Sequence, residues 1–171
     1  AIAQAAGHRV TLAAPLTDQS GASMGLDLEP LTVKKWDDNV YSVALKSNQA
    51  LGAKPSNSAY VALAIAQEGG QPADLLVSGI NTSANIGMSA PLSGTVGAAL
   101  EAASRGIPAL AISLETDLVH QLSYSTEVDF STSAHFTQYF ARILLSQKMP
   151  EDVHVLKVKE QLVKRGSCSR A

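Results

Sequence analysis

The chain has 171 residues, of which 46% are hydrophobic and 16% are charged, and its net charge is −2. That length is sufficient for one domain with a buried core. The weakly acidic balance gives no indication that a nucleic acid polymer or an anionic membrane is a partner. No apolar run approaches the roughly 20 residues that span a bilayer. The single cysteine, Cys168, excludes an intrachain disulfide.

Short apolar runs alternate with amphipathic helical patterns along the chain. Strands are predicted over residues 8–14, 31–36, 40–45, 75–77, 109–113 and 153–158, and helices over residues 55–69, 93–105 and 131–148. The second and third strands flank Asp37, Asp38 and Asn39, which predicts a projecting β-hairpin over residues 31–45. The alternation as a whole predicts an α/β, three-layer sandwich with a Rossmann-like, mostly parallel sheet.

The two ends of the chain do not fit this alternation. Residues 1–7 have the pattern of the second half of a helix, without a cap or a preceding strand. Residues 161–171 show no periodicity and carry three basic residues. We therefore expect one domain over residues 1–160, with its first strand and the loop after that strand outside this chain, and an irregular tail over residues 161–171.

A segment of small and hydroxyl-bearing residues opens the second predicted helix. Ser93, Gly94 and Thr95 begin it, and the residues that follow are small. Backbone N–H groups and the positive end of the helix dipole at such a start bind anions, and the two hydroxyls add donors. The alternative is a simple N-cap, because serine and threonine favour that position in any helix.

Two further polar segments follow predicted strands. Asn81 and Asn85 lie in a loop between glycines, and an asparagine oxygen can ligate a hard cation or orient its waters. Turn formation alone would also explain them. Asp18 and Ser20 precede Gly21, where a serine hydroxyl helps to bind a metal only beside carboxylates. The alternative for this segment is a solvated turn.

The positions of these segments predict that they meet. In open parallel sheets, ligands bind beyond the carboxyl ends of the strands. Ser20 follows one strand, Asn81 and Asn85 follow another, and Ser93 opens the helix that the second loop reaches. We expect these four residues around one cavity at that edge of the sheet.

Several common sites are missing from the sequence. It contains no GxxxxGK[ST] phosphate loop, no GxGxxG after a strand and no GxSxG nucleophile elbow. The four histidines are scattered without the spacing of metal ligands. These absences argue against a P-loop nucleoside-triphosphate motor or kinase, a dinucleotide oxidoreductase and a standard α/β-hydrolase.

Five stretches, taken in order over about residues 6–114, resemble the SurE (survival protein E) nucleotidases. They are AGHRVTLAAP, SGAS, PADLLVSGINTSANIG, LSGTVGAALEA and GIPALAISL. The resemblance implies a metal-dependent, acid-phosphatase-like phosphomonoesterase acting on 5′- and 3′-nucleoside monophosphates. It implies that Ser20 and Asn81 help to hold Mg²⁺ or Mn²⁺ together with two upstream aspartates. It also implies a homodimer or tetramer in the full-length protein. The positions that match its phosphate site are Asn85, Ser93, Gly94 and Thr95.

This chain departs from the family pattern in ways that affect activity. The acidic pair would stand upstream of Ala1, so no catalytic residue is assigned within the chain. Lys54, Asn57 and Ser58 also replace expected residues in the segment GAKPSNSAY. We expect the chain alone to be an impaired fragment of a cytoplasmic enzyme, a periplasmic or secreted location being the alternative. A non-catalytic phosphate- or nucleotide-binding module and a generic Rossmann-like domain remain alternative functions.

Overall fold

The structure is a computed structural model that describes residues 2–117, 119, 128–147 and 149–161. The helices are α1 (Ile2–Ala5), α2 (Pro55–Glu68), α3 (Gly94–Ala103) and α4 (Ser131–Ser146), and Gly87–Ser89 forms a short 3₁₀ turn. The strands are β1 (Leu12–Pro15), β2 (Leu31–Asp37), β3 (Val40–Leu45), β4 (Leu76–Asn81), β5 (Ala109–Glu115) and β6 (Val155–Gln161).

The six strands form two three-stranded sheets. Their orders are β1-β3-β2 and β4-β5-β6. β1 runs parallel to β3, and β4, β5 and β6 run parallel to one another. Within the described residues, β2 and β3 are the antiparallel pair. The predicted mostly parallel α/β arrangement is therefore confirmed, although the strands divide into two groups.

The predicted hairpin forms but does not project from the sheet. β2 and β3 are joined by a tight turn in which Asn39 adopts a positive φ of 58°, a conformation that asparagine tolerates. β3 also pairs with β1, from Leu12 opposite Val40 to Pro15 opposite Val43. The prediction of a projecting hairpin was wrong because the second arm, whose Val43 is fully buried, is a central strand.

Helices cover both faces of the second sheet. Ala109 and Ala111 of β5 pack with Ala99 and Ala102 of α3. Side chains alternate along a strand, so Leu114 faces the other way, as does Glu160, its partner on β6. Glu160 accepts a hydrogen bond from Ser133 of α4. α3 and α4 therefore lie on opposite faces, which confirms the three layers.

Two strand boundaries differ by four residues from those predicted. β1 begins at Leu12 and not at residue 8, because α1 ends at Ala5, a turn with Gly7 at a φ of 83° follows it, and the next residues connect the two elements. β4 continues to Asn81, which pairs with Ser113 of β5. Asn81 thus ends a strand instead of lying inside a loop.

The remaining predicted elements are present where the structure describes them, with ends that differ by up to three residues, as for β6 (Val155–Gln161), predicted over residues 153–158. The last predicted helix ends at Ser146, and residue 148 lies outside the described residues. Of the predicted tail, Gln161 belongs to β6 and residues 162–171 lie outside the described residues. The N–H of Ser131 donates to Asp129 at the start of α4 and lowers the pKa of that carboxyl. No helix in the described part of the chain is long and apolar enough to cross a membrane.

Candidate functional site

The start of α3 combines an N-cap with close packing. Ser93 is the N-cap, and its Oγ accepts a hydrogen bond of 3.3 Å from the N–H of Val96. Gly94 lies against Pro55, the first residue of α2, where an added Cβ would stand 2.6 Å from the proline Cγ. The starts of α2 and α3 therefore adjoin. The capping role proposed as the alternative for Ser93 is present, and Thr95 is half-buried beside it.

The loop after β1 is attached to the start of α3. The Ser23 hydroxyl donates to the Pro91 carbonyl at 2.6 Å, and the Ser23 N–H donates to the Leu92 carbonyl at 3.1 Å. Gly97 in the first turns of α3 contacts the Ser23 carbonyl so closely that it has no room for a Cβ. The structure thus brings together two of the three segments that the sequence selected.

Ser20 is positioned within that loop by a neighbouring carboxylate. Its N–H and its hydroxyl both donate to Oδ1 of Asp18, at 2.9 Å and 2.7 Å, and both residues are exposed. Asp18 was not among the residues predicted to hold the metal. The signal for it was the Asp-x-Ser spacing, because an aspartate commonly accepts a bond from the N–H two residues later.

The two asparagines have different surroundings. Asn81 is half-buried, and its Nδ2 donates to the Ser83 carbonyl at 3.1 Å, which leaves Oδ1 as the other polar atom of the side chain. Asn85 is buried, and its Nδ2 donates to Oγ of Ser113 at 2.9 Å. Because Ser113 pairs with Asn81, both asparagines belong to the carboxyl end of the β4-β5 pair.

The start of α2 is occupied by a carboxylate that sequence reasoning missed. Oδ2 of Asp27 accepts from the N–H of Lys54 at 2.9 Å, and Oδ1 lies 3.2 Å from its Nζ. Asn57 exchanges two hydrogen bonds with the backbone of Asp27, at 2.9 Å and 3.0 Å. Two residues that depart from the family pattern therefore anchor the loop before β2.

Two cavities lie on the outer side of α2 and α3, with volumes of about 170 and 250 Å³. Tyr60 and Arg105 line both of them, and Arg105 also pairs with Glu101. Neither cavity is lined by Ser20, Asn81, Asn85, Ser93, Gly94 or Thr95. The prediction that these residues surround one cavity therefore stays a prediction.

The oxygen atoms near the predicted metal site are of the right kind but carry little charge. Hydroxyl, amide and carboxylate oxygens suit a hard divalent cation. Asp18 is the carboxylate in contact with Ser20. The described residues contain no group of three or more His, Cys, Asp or Glu side chains that could hold a metal ion. This donor set alone does not fit a tightly bound Mg²⁺ or Mn²⁺.

Parallel strands with polar loops at one edge, next to a helix start, are typical of Rossmann-like α/β proteins, which bind their ligands at that edge. The family model described as survival protein SurE matches residues 1–164. The chain belongs to the SurE family.

Named relatives support that membership. The chain is 37% identical over 150 residues to the 5′-nucleotidase SurE of Thermococcus gammatolerans, covering 87% of this chain and 53% of the relative. It is 43% identical over 112 residues to the 5′-nucleotidase SurE of Stenotrophomonas maltophilia, covering 65% of this chain and 39% of the relative. The chain thus spans about half the length of such relatives, or less.

A solved structure shows the same fold. The SurE protein from Aquifex aeolicus superposes with a TM-score of 0.73 at 27% identity, covering 93% of this chain and 58% of that one. The predicted Rossmann-like three-layer fold is confirmed by this likeness and by the parallel sheets.

Proposed function

We propose that this chain is part of a nucleotidase that hydrolyses 5′- and 3′-nucleoside monophosphates with Mg²⁺ or Mn²⁺. The observation that carries the proposal is the attachment of the Ser20 loop to the start of α3 through Ser23. That attachment places a hydroxyl- and carboxylate-bearing loop beside a helix N-terminus. The names of the matched relatives, 5′-nucleotidase SurE, agree with it.

The start of α3 supplies the groups for the phosphate. Ser93 already satisfies the N–H of Val96, and Gly97 donates to the Ser93 carbonyl as the first bond of the helix. The N–H groups of Gly94 and Thr95 precede that ladder and face the helix start. With the Thr95 hydroxyl and the helix dipole, they would bind two or three phosphate oxygens. Asn85 would act from the loop before them.

The metal would complete the reaction, but not with this chain's residues alone. When bound, a divalent ion would supply charge that polarises a phosphoryl oxygen and activates a water. Ser20, held by Asp18, and Asn81 would add neutral oxygens to it. Hard cations at such sites generally need more carboxylate ligands than this chain provides in its described residues. We infer that upstream carboxylates supply the missing charge, so that residues 1–171 alone turn over little or no substrate.

The proposal extends to assembly and location. The substrate is a nucleoside monophosphate or a related phosphomonoester, and no nucleic acid polymer or membrane is a partner. The full-length protein would be a homodimer or tetramer in the cytoplasm. Size-exclusion chromatography with light scattering on the full-length protein tests the assembly.

The first experiment compares this chain with a version extended upstream, using adenosine 5′-monophosphate and Mn²⁺ and measuring released phosphate. The extended protein should be active and residues 1–171 nearly inactive. Equal, robust activity in both would show that the metal site is misplaced. In the extended protein, Thr95→Val should raise KM, whereas Thr132→Val, an exposed position on α4, should leave it unchanged.

One observation favours a second function, a non-catalytic phosphate-binding module. The described residues contain no group of three or more His, Cys, Asp or Glu side chains that could hold a metal ion, whereas the N–H groups at the start of α3 are present. A protein that only binds an anion through the α3 start needs neither a metal nor carboxylates. Binding of a nucleoside monophosphate by the extended protein, without phosphate release at any Mn²⁺ concentration, would favour this module.

A further inference from the structure

Ser113 is a polar residue within a buried and otherwise apolar strand. Six of the seven residues of β5 are buried, and the other five of these are alanine, leucine or isoleucine. Strands of a parallel sheet that is covered on both faces are generally apolar along their whole length. The Ser113 side chain is fully buried, so its hydroxyl has no contact with water and needs a partner inside the protein.

That partner is the side-chain amide of Asn85. Nδ2 of Asn85 donates to Oγ of Ser113 at 2.9 Å across 28 positions of sequence, and Asn85 is itself only 5% exposed. An asparagine amide has two N–H donors and one oxygen. Because one N–H is bound to Ser113, the plane of the amide is fixed. The second N–H and Oδ1 then have one defined direction each.

The bond ties the loop after β4 to the end of β5. The Thr116 hydroxyl donates to the Thr82 carbonyl at 2.7 Å and holds the beginning of this loop. The bond between Asn85 and Ser113 holds it three residues further on. The chain then passes through the 3₁₀ turn at Gly87–Ser89 and reaches the start of α3. Ser113 therefore fixes the loop just before the helix begins.

Asn85 lies on the face of the second sheet that α3 covers. Ala109 and Ala111 of β5 pack with α3, and because side chains alternate along a strand, Ser113 faces the same way. Ala102, near the end of α3, packs against this first half of β5. The start of α3 therefore lies toward the second half of the strand, where Ser113 binds Asn85.

We propose that Ser113 is a positioning residue for Asn85. It fixes the side-chain amide so that the second N–H is directed at a phosphate oxygen bound at the start of α3. The inference rests on the proposed function, because it assumes that Asn85 acts at the phosphate site. Ser113 does not touch the phosphate. Its bond orders the amide before the phosphate arrives, so less side-chain freedom is lost on binding.

The alternative is that the two residues only satisfy each other's hydrogen bonds within the core. In that case Ser113 contributes to stability, and phosphate affinity does not depend on its hydroxyl. A positioning residue changes phosphate affinity, and it does so only while Asn85 is present. The two explanations therefore differ in a binding measurement and not only in a stability measurement.

Two substitutions of nearly the same shape isolate the hydroxyl. Ser113→Thr keeps it, and Ser113→Val has a methyl group in its place. Both add volume at the same buried position, so a packing defect affects both alike. Inorganic phosphate is titrated into residues 1–171, and binding is followed by the NMR signals of the Gly94 and Thr95 N–H groups. Ser113→Val should bind phosphate about five- to tenfold more weakly than Ser113→Thr.

The same pair is then compared in chains that also carry Asn85→Ala. There the two Ser113 variants should bind phosphate equally, because Ser113 has lost the residue through which it acts. The Asn85 side-chain amide gives a second readout without phosphate. Its bonded proton should exchange with water about tenfold faster in Ser113→Val than in Ser113→Thr. The amide of Asn48, which is exposed, is the control and should not change.

If both substitutions prevent folding, Ser113→Ala is compared with the unaltered chain by the same measurements. Three results would overturn the positioning role and leave the proposed function standing. They are equal phosphate affinities of the Ser113 variants, a difference that persists with Asn85→Ala, and unchanged exchange at the Asn85 amide. Absence of phosphate binding by the unaltered chain would instead contradict the phosphate site itself, and the role of Ser113 with it.

Discussion

At the scale of single residues, the departures from the family pattern near α2 have a structural explanation. The N–H and the Nζ of Lys54 both contact the Asp27 carboxylate. The side-chain amide of Asn57 exchanges two hydrogen bonds with the backbone of Asp27. The Asp27 carboxylate also sits at the positive end of α2, whose N-cap, Lys54, supplies no side-chain oxygen. The loop before β2 therefore provides the charge that a capping residue would otherwise supply.

Replacing Asp27 with alanine should lower the free energy of unfolding by about 1–3 kcal/mol, because it leaves a half-buried N–H without its partner. Urea denaturation followed by circular dichroism measures this. The control is Asp38→Ala, which removes a pair between exposed side chains, 93% exposed for Asp38, and should change stability by less than about 0.5 kcal/mol. Equal effects of the two substitutions would contradict the assigned role of Asp27.

At the scale of elements, the position of α3 depends on two glycines that permit close approach. Gly94 contacts Pro55 of α2, and Gly97 contacts the Ser23 carbonyl of the loop after β1. Both contacts need the absence of a Cβ and not an unusual backbone conformation. They bring the helix start, the α2 start and the Ser20 loop to one place, which the candidate site requires.

Gly97→Ala tests this packing through the sign of its effect. In an exposed helix, alanine in place of glycine stabilises by about 0.5–1 kcal/mol. Here the Ser23 backbone leaves no space, so we expect a loss of about 1–3 kcal/mol in thermal or urea unfolding. Ala103→Gly, at the end of the same helix, should cost only the ordinary propensity of about 0.5–1 kcal/mol. A stabilised Gly97→Ala variant would show that the loop does not press on α3.

At the scale of the whole molecule, β5 is the central strand of the second sheet and supplies most of its buried side chains. It lies between β4 and β6, α3 and α4 cover its two faces, and six of its seven residues are buried. Alanines and Ser113 face α3, where the helix must approach closely, whereas Leu110, Ile112 and Leu114 fill the other face. The first sheet has a separate core around Val43 and Val61, and the contact of α2 with α3 connects the two.

Leu110→Ala should therefore destabilise the whole chain by about 2–5 kcal/mol, as deletion of a fully buried leucine does. Leu28→Ala is the control, because Leu28 is 95% exposed, and its effect should be near zero. Chemical denaturation monitored at Trp36, in the first sheet, also reports whether the two sheets unfold together. A Trp36 transition that does not move in Leu110→Ala would show that they unfold independently.

Local chemistry in the sequence by itself determined the elements and their class. Period-two and period-3.6 apolar patterns, Pro55 at a helix start and glycines at helix ends identify strands and helices, because these signals act within a few residues. The same local signals selected Ser93 as a helix start and Asn39 as a turn. The ordered set of loop segments also identified the family that the comparison with known proteins confirmed.

Contacts between distant segments were decided only by the tertiary structure. No local pattern indicates that Asp27 caps α2, that Ser23 binds Pro91, or that the second arm of the hairpin pairs with β1. The division of the strands into two three-stranded sheets also depends on which strand edges pair in the folded chain. Each of these outcomes is set by hydrogen bonds and close packing between residues that are tens of positions apart. A short stretch of sequence does not indicate which distant residues it will contact.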